Sequence, residues 1–271
     1  MMKKYGWFII LVSLIFVNSN VFSFNLSISD PKINLKVNKG ETLSGRIKVS
    51  NPSPGEIKVK VYLEDFAYIP PYDGTKKFLP SGSTEFSCSQ WISFSPQEFK
   101  LPPFGARFVD YSLRIPPDAK GSYYAVLFFE TALGEIEEEP GYNVKVLGRV
   151  GSLIFLEAKG GLKQAEVKDI EAEGEEIKGE FLNLGDVFIN SISSYFIMDE
   201  EGMAIDRGKL SDLYLFPKDK ASFIISLSKK IPAGKLSLIC TFDLGEGDVL
   251  VKELDFIKDA KSFIKIIEIR D

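Results

Sequence analysis

The chain carries few of the side chains on which enzymes and metal sites depend. It has 271 residues, no histidine and two cysteines. Histidine is the usual general base near neutral pH and the commonest zinc and copper ligand, so its absence excludes Ser-His-Asp and Cys-His nucleophile systems. Cys88 and Cys240 fall in different halves of the chain, which argues against a thiolate metal cluster and against a disulfide within one domain. We expect no catalytic residue, no metal and no cofactor.

Carboxylates are the remaining candidates for chemistry, and they cluster where turns are expected. The densest run, Glu135 with Glu137-Glu138-Glu139, precedes Pro140-Gly141 and is predicted to be a solvated loop. Two further acidic segments, residues 199–202 and 243–248, offer oxygens of the kind that calcium prefers, but neither has the spaced ligands of a calcium loop. As hairpin turns they need no metal. The chain is therefore predicted not to be an enzyme.

The first residues are typical of an export signal. Lys3 and Lys4 precede an apolar run, Phe8–Val17, and Val21-Phe22-Ser23 has the form of a cleavage site. We expect a signal peptide over residues 1–23 and no stable membrane span after its cleavage. The alternative is a retained anchor, although the run is about half of the roughly 20 residues that a spanning helix needs. The formal net charge of −5, without a basic block, argues against nucleic acid as a partner.

The rest of the sequence predicts an all-β protein. Val109, Tyr111, Leu113 and Ile115 alternate with polar residues, which is the period of a half-buried strand. Turn signals recur at about the 8–12-residue spacing of β-sandwiches. The first set of strands is predicted at residues 33–37, 43–49, 57–63, 91–94, 108–115, 123–129 and 144–156. A second set is predicted at 165–170, 177–182, 192–198, 203–210, 223–227, 236–242 and 249–256.

Two tandem immunoglobulin-like β-sandwich domains account for this pattern. We predict the first domain at residues 24–158, the second at 159–257 and a C-terminal tail at 258–271. Residues 66–86, which are rich in proline and glycine, are predicted to form a loop that is longer than most connections between strands.

The first domain resembles the bacterial PapD-like periplasmic chaperones of pilus assembly. The resemblance covers mainly Lys32–Leu156 and depends on an Asn-Pro turn after the second strand, a tryptophan before Phe-Ser-Pro and a Gly-Ser-Tyr-Tyr-Ala strand. It implies an exported, periplasmic protein that completes a β-rich subunit by strand addition. The implied working strand is the last one of the first domain, where Val144, Val146 and Val150 share a face and Lys145 and Arg149 lie on the other.

The same resemblance implies a basic pair that holds the subunit's terminal carboxylate. The candidates here are Lys32 or Lys36 on the first strand and Arg149 on the last. Exposed charges on edge strands are the alternative interpretation of these residues, because lysine discourages aggregation there.

Two other functions stay open. The sandwiches also resemble immunoglobulin-like modules of Gram-positive surface proteins that interact with the WxL class of wall-bound proteins. Such a cell-surface module would bind protein or glycan through loops such as 66–86, where Tyr68, Tyr72 and Phe78 could stack on sugars. In a purely structural subunit, the tail with Ile264, Ile266 and Ile269 would be a strand donated to a neighbour.

Overall fold

The first half of the chain, in which apolar and polar residues alternate, folds into two facing sheets. The computed structural model describes residues 26–139 and 142–270, except for the side chains of residues 134–144, so the predicted signal peptide lies outside the described residues. The elements of this half are β1 (Ser27–Ile28), β2 (Lys32–Val37), β3 (Thr42–Ser50), β4 (Ile57–Tyr68), β5 (Lys76–Pro80), a 3₁₀ turn (Ser89–Trp91), β6 (Ile92–Ser95), β7 (Glu98–Leu101), β8 (Ala106–Arg114), β9 (Gly121–Glu139) and β10 (Tyr142–Ala158).

The N-terminal segment takes part in both sheets of this domain. One sheet has the order β1-β3-β8-β6, and the other has the order β2-β10-β9-β4-β5 with β7 also paired to β4. β1 and β2 are joined by a short crossing segment, and β2 runs parallel to β10. Inward-facing side chains such as Ile47, Val109 and Leu127 are fully buried between the sheets and form the core.

The second half repeats the two-sheet arrangement with its own core. One sheet is β11-β12-β16, and the other is β14-β13-β17-β18-β19 with β15 paired to β13. Phe181, Phe242 and Phe256 are fully buried in this core. The strands are β11 (Ala165–Glu173), β12 (Glu176–Asn183), β13 (Ile189–Met198), β14 (Ala204–Lys209), β15 (Leu213–Leu215), β16 (Lys220–Ser226), β17 (Gly234–Gly245), β18 (Asp248–Lys258) and β19 (Ile264–Arg270).

The predicted all-β class and the two-sandwich architecture are confirmed, and the predicted strands are present with shifted ends. The end of the chain differs from the prediction. Residues 258–271 were predicted to be a tail, but β19 pairs antiparallel with β18 from Lys258↔Ile264 to Glu253↔Arg270. Arg270 of β19 stabilises this pairing, because its two Nη atoms donate hydrogen bonds to the two carboxylate oxygens of Asp255 on β18 at 3.0 Å each. The strand therefore completes its own domain.

Candidate partner-binding site

β10 is a strand with an edge that the fold leaves largely open. Its neighbour β9 follows it along the whole length, from Tyr142↔Glu139 to Ala158↔Gly121. On the other side, β2 pairs only with residues 153–158. Within the described ranges, no strand occupies that side of residues 142–151. At about 3.3 Å per residue, the open edge is about 30 Å long.

Backbone groups of alternate residues point into this open edge. In an extended strand, the N–H and C=O of one residue face one neighbouring strand, and those of the next residue face the other. The N–H of Leu153 donates to the carbonyl of Pro31 at 3.0 Å, on the β2 side. The same alternation turns the N–H and C=O groups of Leu147, Arg149 and Gly151 towards the open edge. These groups are the donors and acceptors that an added strand would use.

The side chains of β10 alternate between the domain core and the outer face of the sheet. Val150 packs against the core of the first domain, and Ile154 is fully buried there. Val146 is half-buried. Leu147 is 52% exposed. The side chain of Val144 lies outside the described residues.

Arg149 lies on the outer face, where residues of β4 and β9 hold it. Its Nη1 donates to Glu64 Oε1 at 2.9 Å and to the Tyr62 hydroxyl oxygen at 3.2 Å. Its guanidinium lies 4.0 Å from the ring centre of Phe128, a geometry that the ring's quadrupole favours. Arg149 therefore already has a carboxylate partner within its own domain.

The two candidate lysines of β2 line a cleft between the domains. This cleft has a volume of about 390 Å³ and includes Phe155 from the first domain and Phe188 from the second. Lys32 Nζ lies 4.7 Å from the ring centre of Phe155. Lys36 instead forms an ion pair with Glu246 of the second domain, and this hydrogen bond raises the pKa of Lys36.

The structure does not bring the predicted basic residues together. Lys32 is opposite Leu153 in the parallel register, and Arg149 lies four residues away along β10, which corresponds to about 13 Å. Lys36 forms an ion pair with Glu246 of the second domain. Lys32 and Lys36 are thus not adjacent to Arg149 in this structure, and their joint role in holding a carboxylate stays a prediction.

Lys76 is a basic residue near Lys32 that the sequence analysis missed. It is the first residue of β5, and its Nζ lies 4.9 Å from the ring centre of Tyr68. Burial lowers the pKa of Lys76, and the positive charge of Lys32 lowers it further. Lys76 Nζ also donates a hydrogen bond to the carbonyl oxygen of Gly74 at 2.8 Å. The adjacent lysines Lys76-Lys77 were the available signal, but they lay in a predicted loop.

An aromatic cluster joins the two domains beside the cleft. Phe66, Tyr68 and Tyr124 of the first domain contact Phe188 and Phe216 of the second. The ring of Phe216 stacks on that of Tyr124, with 3.4 Å between centroids and 9° between planes. Separation of the domains would expose these rings, so the cluster stabilises one relative orientation of the domains.

The segment 66–86, predicted to be a long loop, is largely structured. β4 extends to Tyr68, and β5 lies within the segment. Tyr68 is buried in the aromatic cluster, and Tyr72 packs against the second domain. Phe78 packs edge-on against Phe128 at 4.9 Å between ring centres. The aromatic side chains of this segment thus contact the protein itself.

Solved structures with a similar fold include fimbrial chaperones. A chain from a chaperone–tip adhesin complex of CFA/I fimbriae biogenesis has a TM-score of 0.52 and 13% identity, covering 84% of this chain and 97% of that chain. The class 5 fimbriae chaperone CfaA has a TM-score of 0.49 at 13% identity, with coverage of 84% and 97%. A chain of the CsuC–CsuE chaperone–subunit complex from Acinetobacter baumannii has a TM-score of 0.45 at 9% identity, with coverage of 84% and 98%.

The first of these similarities shows that the chain has the two-domain PapD-like chaperone fold, which confirms the predicted resemblance at the level of the fold. No protein-family model and no curated protein matches the sequence. In the part of the chain that the structure describes, no helix has the length and apolarity needed to cross a bilayer.

Proposed function

We propose that this protein is an exported, periplasmic chaperone that holds a β-rich subunit by strand addition along the open edge of β10. It has no catalytic role. The observation that carries the proposal is the open side of residues 142–151, which precede the start of β2 opposite Leu153, while β9 fills only the other side. An unpaired strand edge binds an extended segment through backbone hydrogen bonds, and alternate side chains give the fit.

The position of the open edge relative to the core also supports this function. Val150 packs against the core of the sandwich, whereas Val146 is half-buried outside that core, so the apolar side chains of β10 have fewer core contacts towards the start of the strand. Together with Val144, these side chains would enter a subunit that lacks a strand. The apolar face would then form part of the subunit's core, which adds hydrophobic burial to the backbone hydrogen bonds.

The cleft offers a place for the end of the bound chain. Lys32 lines the cleft and forms no ion pair with a carboxylate among the described residues, and its positive charge contributes to the lowered pKa of Lys76. A carboxylate between two ammonium groups forms charge-assisted hydrogen bonds. The proposal therefore assigns Lys32 and Lys76 to the terminal carboxylate of the subunit, and it assigns Arg149 and Lys36 to contacts within the chaperone.

Leu147→Pro tests the use of the edge. The N–H of Leu147 points to the open side, so proline at this position removes a donor for an added strand and leaves the β9 ladder intact. Leu147→Ala is the matched control, since it keeps the N–H and removes most of the side chain. Val146→Glu is a second test, because Val146 is less embedded in the core than Val150.

The assay is quantitative mass spectrometry of proteins retained from envelope extracts by the tagged chain Phe24–Asp271. We expect a small β-rich exported subunit that the wild-type chain and Leu147→Ala retain and that Leu147→Pro and Val146→Glu lose. Circular dichroism melting of each variant checks the fold. Equal retention by Leu147→Pro and the wild-type chain would contradict strand addition at β10.

A further inference from the structure

β19 is the outermost strand of the larger sheet in the second domain, and its outer edge is free. The order of that sheet ends at β19, so no strand in the described part of the chain pairs with this side. At the start of the strand, the N–H of Ile264 points to this side and donates to the carbonyl of Gly174 at 3.1 Å. Ile267 is 51% exposed and Ile269 is 44% exposed. Exposed edges are normally protected by charges or proline, so this apolar edge is open to an added strand.

β19 contains a β-bulge at its centre. Phe256 of β18 pairs with Ile266, whereas the residue before it, Asp255, pairs with Glu268. Ile267 is therefore an extra residue that has no pairing partner on β18. Such a residue shifts the alternation by one, so positions on the two sides of the bulge have orientations that a regular strand would not give them.

The bulge gives the other three isoleucines of β19 one common orientation. Ile266 lies two residues after Ile264, so its backbone groups also point to the free edge. Ile269 shares this orientation, because the residues of β18 that pair with the three isoleucines are an even number of positions apart. Lys265 and Glu268 have the opposite orientation. Their backbone groups face β18, and their side chains lie exposed on the outer face of the sheet.

The same spacing makes the edge self-complementary. When two copies of β19 lie antiparallel about a twofold axis at the bulge, Lys265 of each copy is opposite Glu268 of the other, and Ile264 of each copy is opposite Ile269 of the other. The bulge puts both members of each pair on the same face of the sheet. Opposite charges directly across a strand pair attract each other, and the twofold axis produces every contact twice.

Neighbouring registers lose this fit. Sliding one copy by two residues in one direction puts Lys265 opposite Arg270, so that two positive charges meet. Sliding it in the other direction puts Glu268 opposite Phe263 and Lys265 opposite Ile266, so that neither charge has an oppositely charged partner. The charge pattern of β19 therefore matches a second copy of itself in one register.

We propose that β19 pairs with β19 of a second copy of this chain, so that the larger sheets of two second domains join into one continuous sheet. The contact uses no residue of β10, so this inference does not depend on the proposed function. A free strand edge is a template for pairing, and closed twofold contacts are the commonest in homo-oligomers. Isoleucines at the axis add apolar burial to the backbone hydrogen bonds.

Charge reversal tests the register. Lys265→Glu puts a glutamate opposite Glu268 of the second copy, and Glu268→Lys puts a lysine opposite Lys265. Each single variant should therefore have a dissociation constant for the dimer at least about tenfold higher than that of the wild-type chain. An equimolar mixture of the two variants restores both pairs of opposite charge, so it should form a heterodimer with the wild-type affinity. This recovery also shows that both variants are folded.

Ile269→Pro tests the backbone contact. The N–H of Ile269 faces the free edge, so proline removes a donor to the second copy and leaves the β18 ladder intact. Ile269→Val is the matched control, because it keeps the N–H and a β-branched side chain. We expect the dimer to be lost in the proline variant and retained in the control.

The measurement is sedimentation velocity of the untagged chain Phe24–Asp271 and of each variant, at concentrations up to about 100 μM. A wild-type chain that stays monomeric over this range overturns the inference. A dimer that Lys265→Glu or Ile269→Pro leaves unweakened also overturns it, and so does weakening by the charge variants without recovery in their mixture. A dimer that Leu147→Pro abolishes and Lys265→Glu leaves intact belongs to β10 and contradicts pairing at β19.

Discussion

Replacement of Phe216 by alanine should uncouple the two domains. Phe216 belongs to the second domain, but most of its ring contacts are in the first: Tyr124 at 3.4 Å, Tyr68 at 5.0 Å and Phe66 at 5.6 Å between centroids. The ring is 4% exposed. Truncation of a buried phenylalanine costs about 3–5 kcal/mol. Because the lost contacts cross the interface, most of this free energy should come from the coupling between domains.

Phe223→Ala is the matched control for this effect. Phe223 is as well buried as Phe216, but it packs within the second core, 5.2 Å from the ring centre of Phe242. The control should lower the stability of the second domain by a similar amount without a change in domain orientation. A general loss of stability is thus separated from a loss of the interface.

Calorimetry and small-angle X-ray scattering distinguish the two variants. We expect Phe216→Ala to split the unfolding of the chain into two transitions and to increase the radius of gyration. Phe223→Ala should leave the radius of gyration of the folded chain unchanged. A Phe216→Ala chain with the wild-type scattering curve and one cooperative transition would refute the role assigned to the aromatic cluster.

Two further predictions concern carboxylates. Burial raises the pKa of Asp219 above its usual 3.8, while the hydrogen bond from the N–H of Phe216 opposes the rise. The folded chain is therefore stabilised when Asp219 is protonated at low pH. This stabilisation is lost as the pH rises through the folded-state pKa. Urea midpoints from about pH 4 to about pH 8 should therefore fall for the wild-type chain relative to Asp219→Asn, and a constant difference would contradict this. Hydrogen bonds from Arg270 hold the pKa of Asp255 at about 2, so its contribution to stability is present above the unfolded-state value and is lost as pH falls through about 2. In Arg270→Gln, an NMR titration should show the pKa of Asp255 move towards 3.8, and an unmoved value would show that Arg270 is not the cause.

The strand positions could be predicted from the sequence because burial on one side of a strand leaves a period of two. Val109 and Leu113 are fully buried between the sheets, as their alternation indicated. In the run Tyr123–Phe129, nearly every residue is apolar, so the pattern does not say which side faces the neighbouring domain. Tyr124 belongs to the aromatic cluster, whereas Leu127 belongs to the first core. The interface between the domains was missed for this reason.

The candidate site was only partly predictable, since it depends on pairings between distant segments. The strand that carries Val146 and Arg149 followed from its place at the end of the first domain. The ion pairs of Arg149 with Glu64 and of Lys36 with Glu246 join residues far apart in the chain, and alternation contains no information about them. Edge strands are also weakly encoded, because one side of their backbone faces water and charged residues are favoured there. β5 was missed as a strand on this account, and the segment of β19 was predicted to be a tail or a strand donated to a neighbour, whereas it pairs with β18 of its own domain.

An open edge about 30 Å long is a hazard as well as a binding surface, because it can pair with any exposed strand. Beyond Thr131, β9 has no partner other than β10 among the described residues, so the hairpin arm has two free edges. The sequence of β9 in this arm carries Glu135 and Glu137–Glu139, whereas β10 carries Val144, Val146 and Leu147. Like charges along one edge disfavour addition there, and the apolar residues of the other strand favour it. The acidic residues of β9 therefore disfavour strand addition on one side of the arm, and under the proposed function the open edge of β10 is the side that a subunit strand uses.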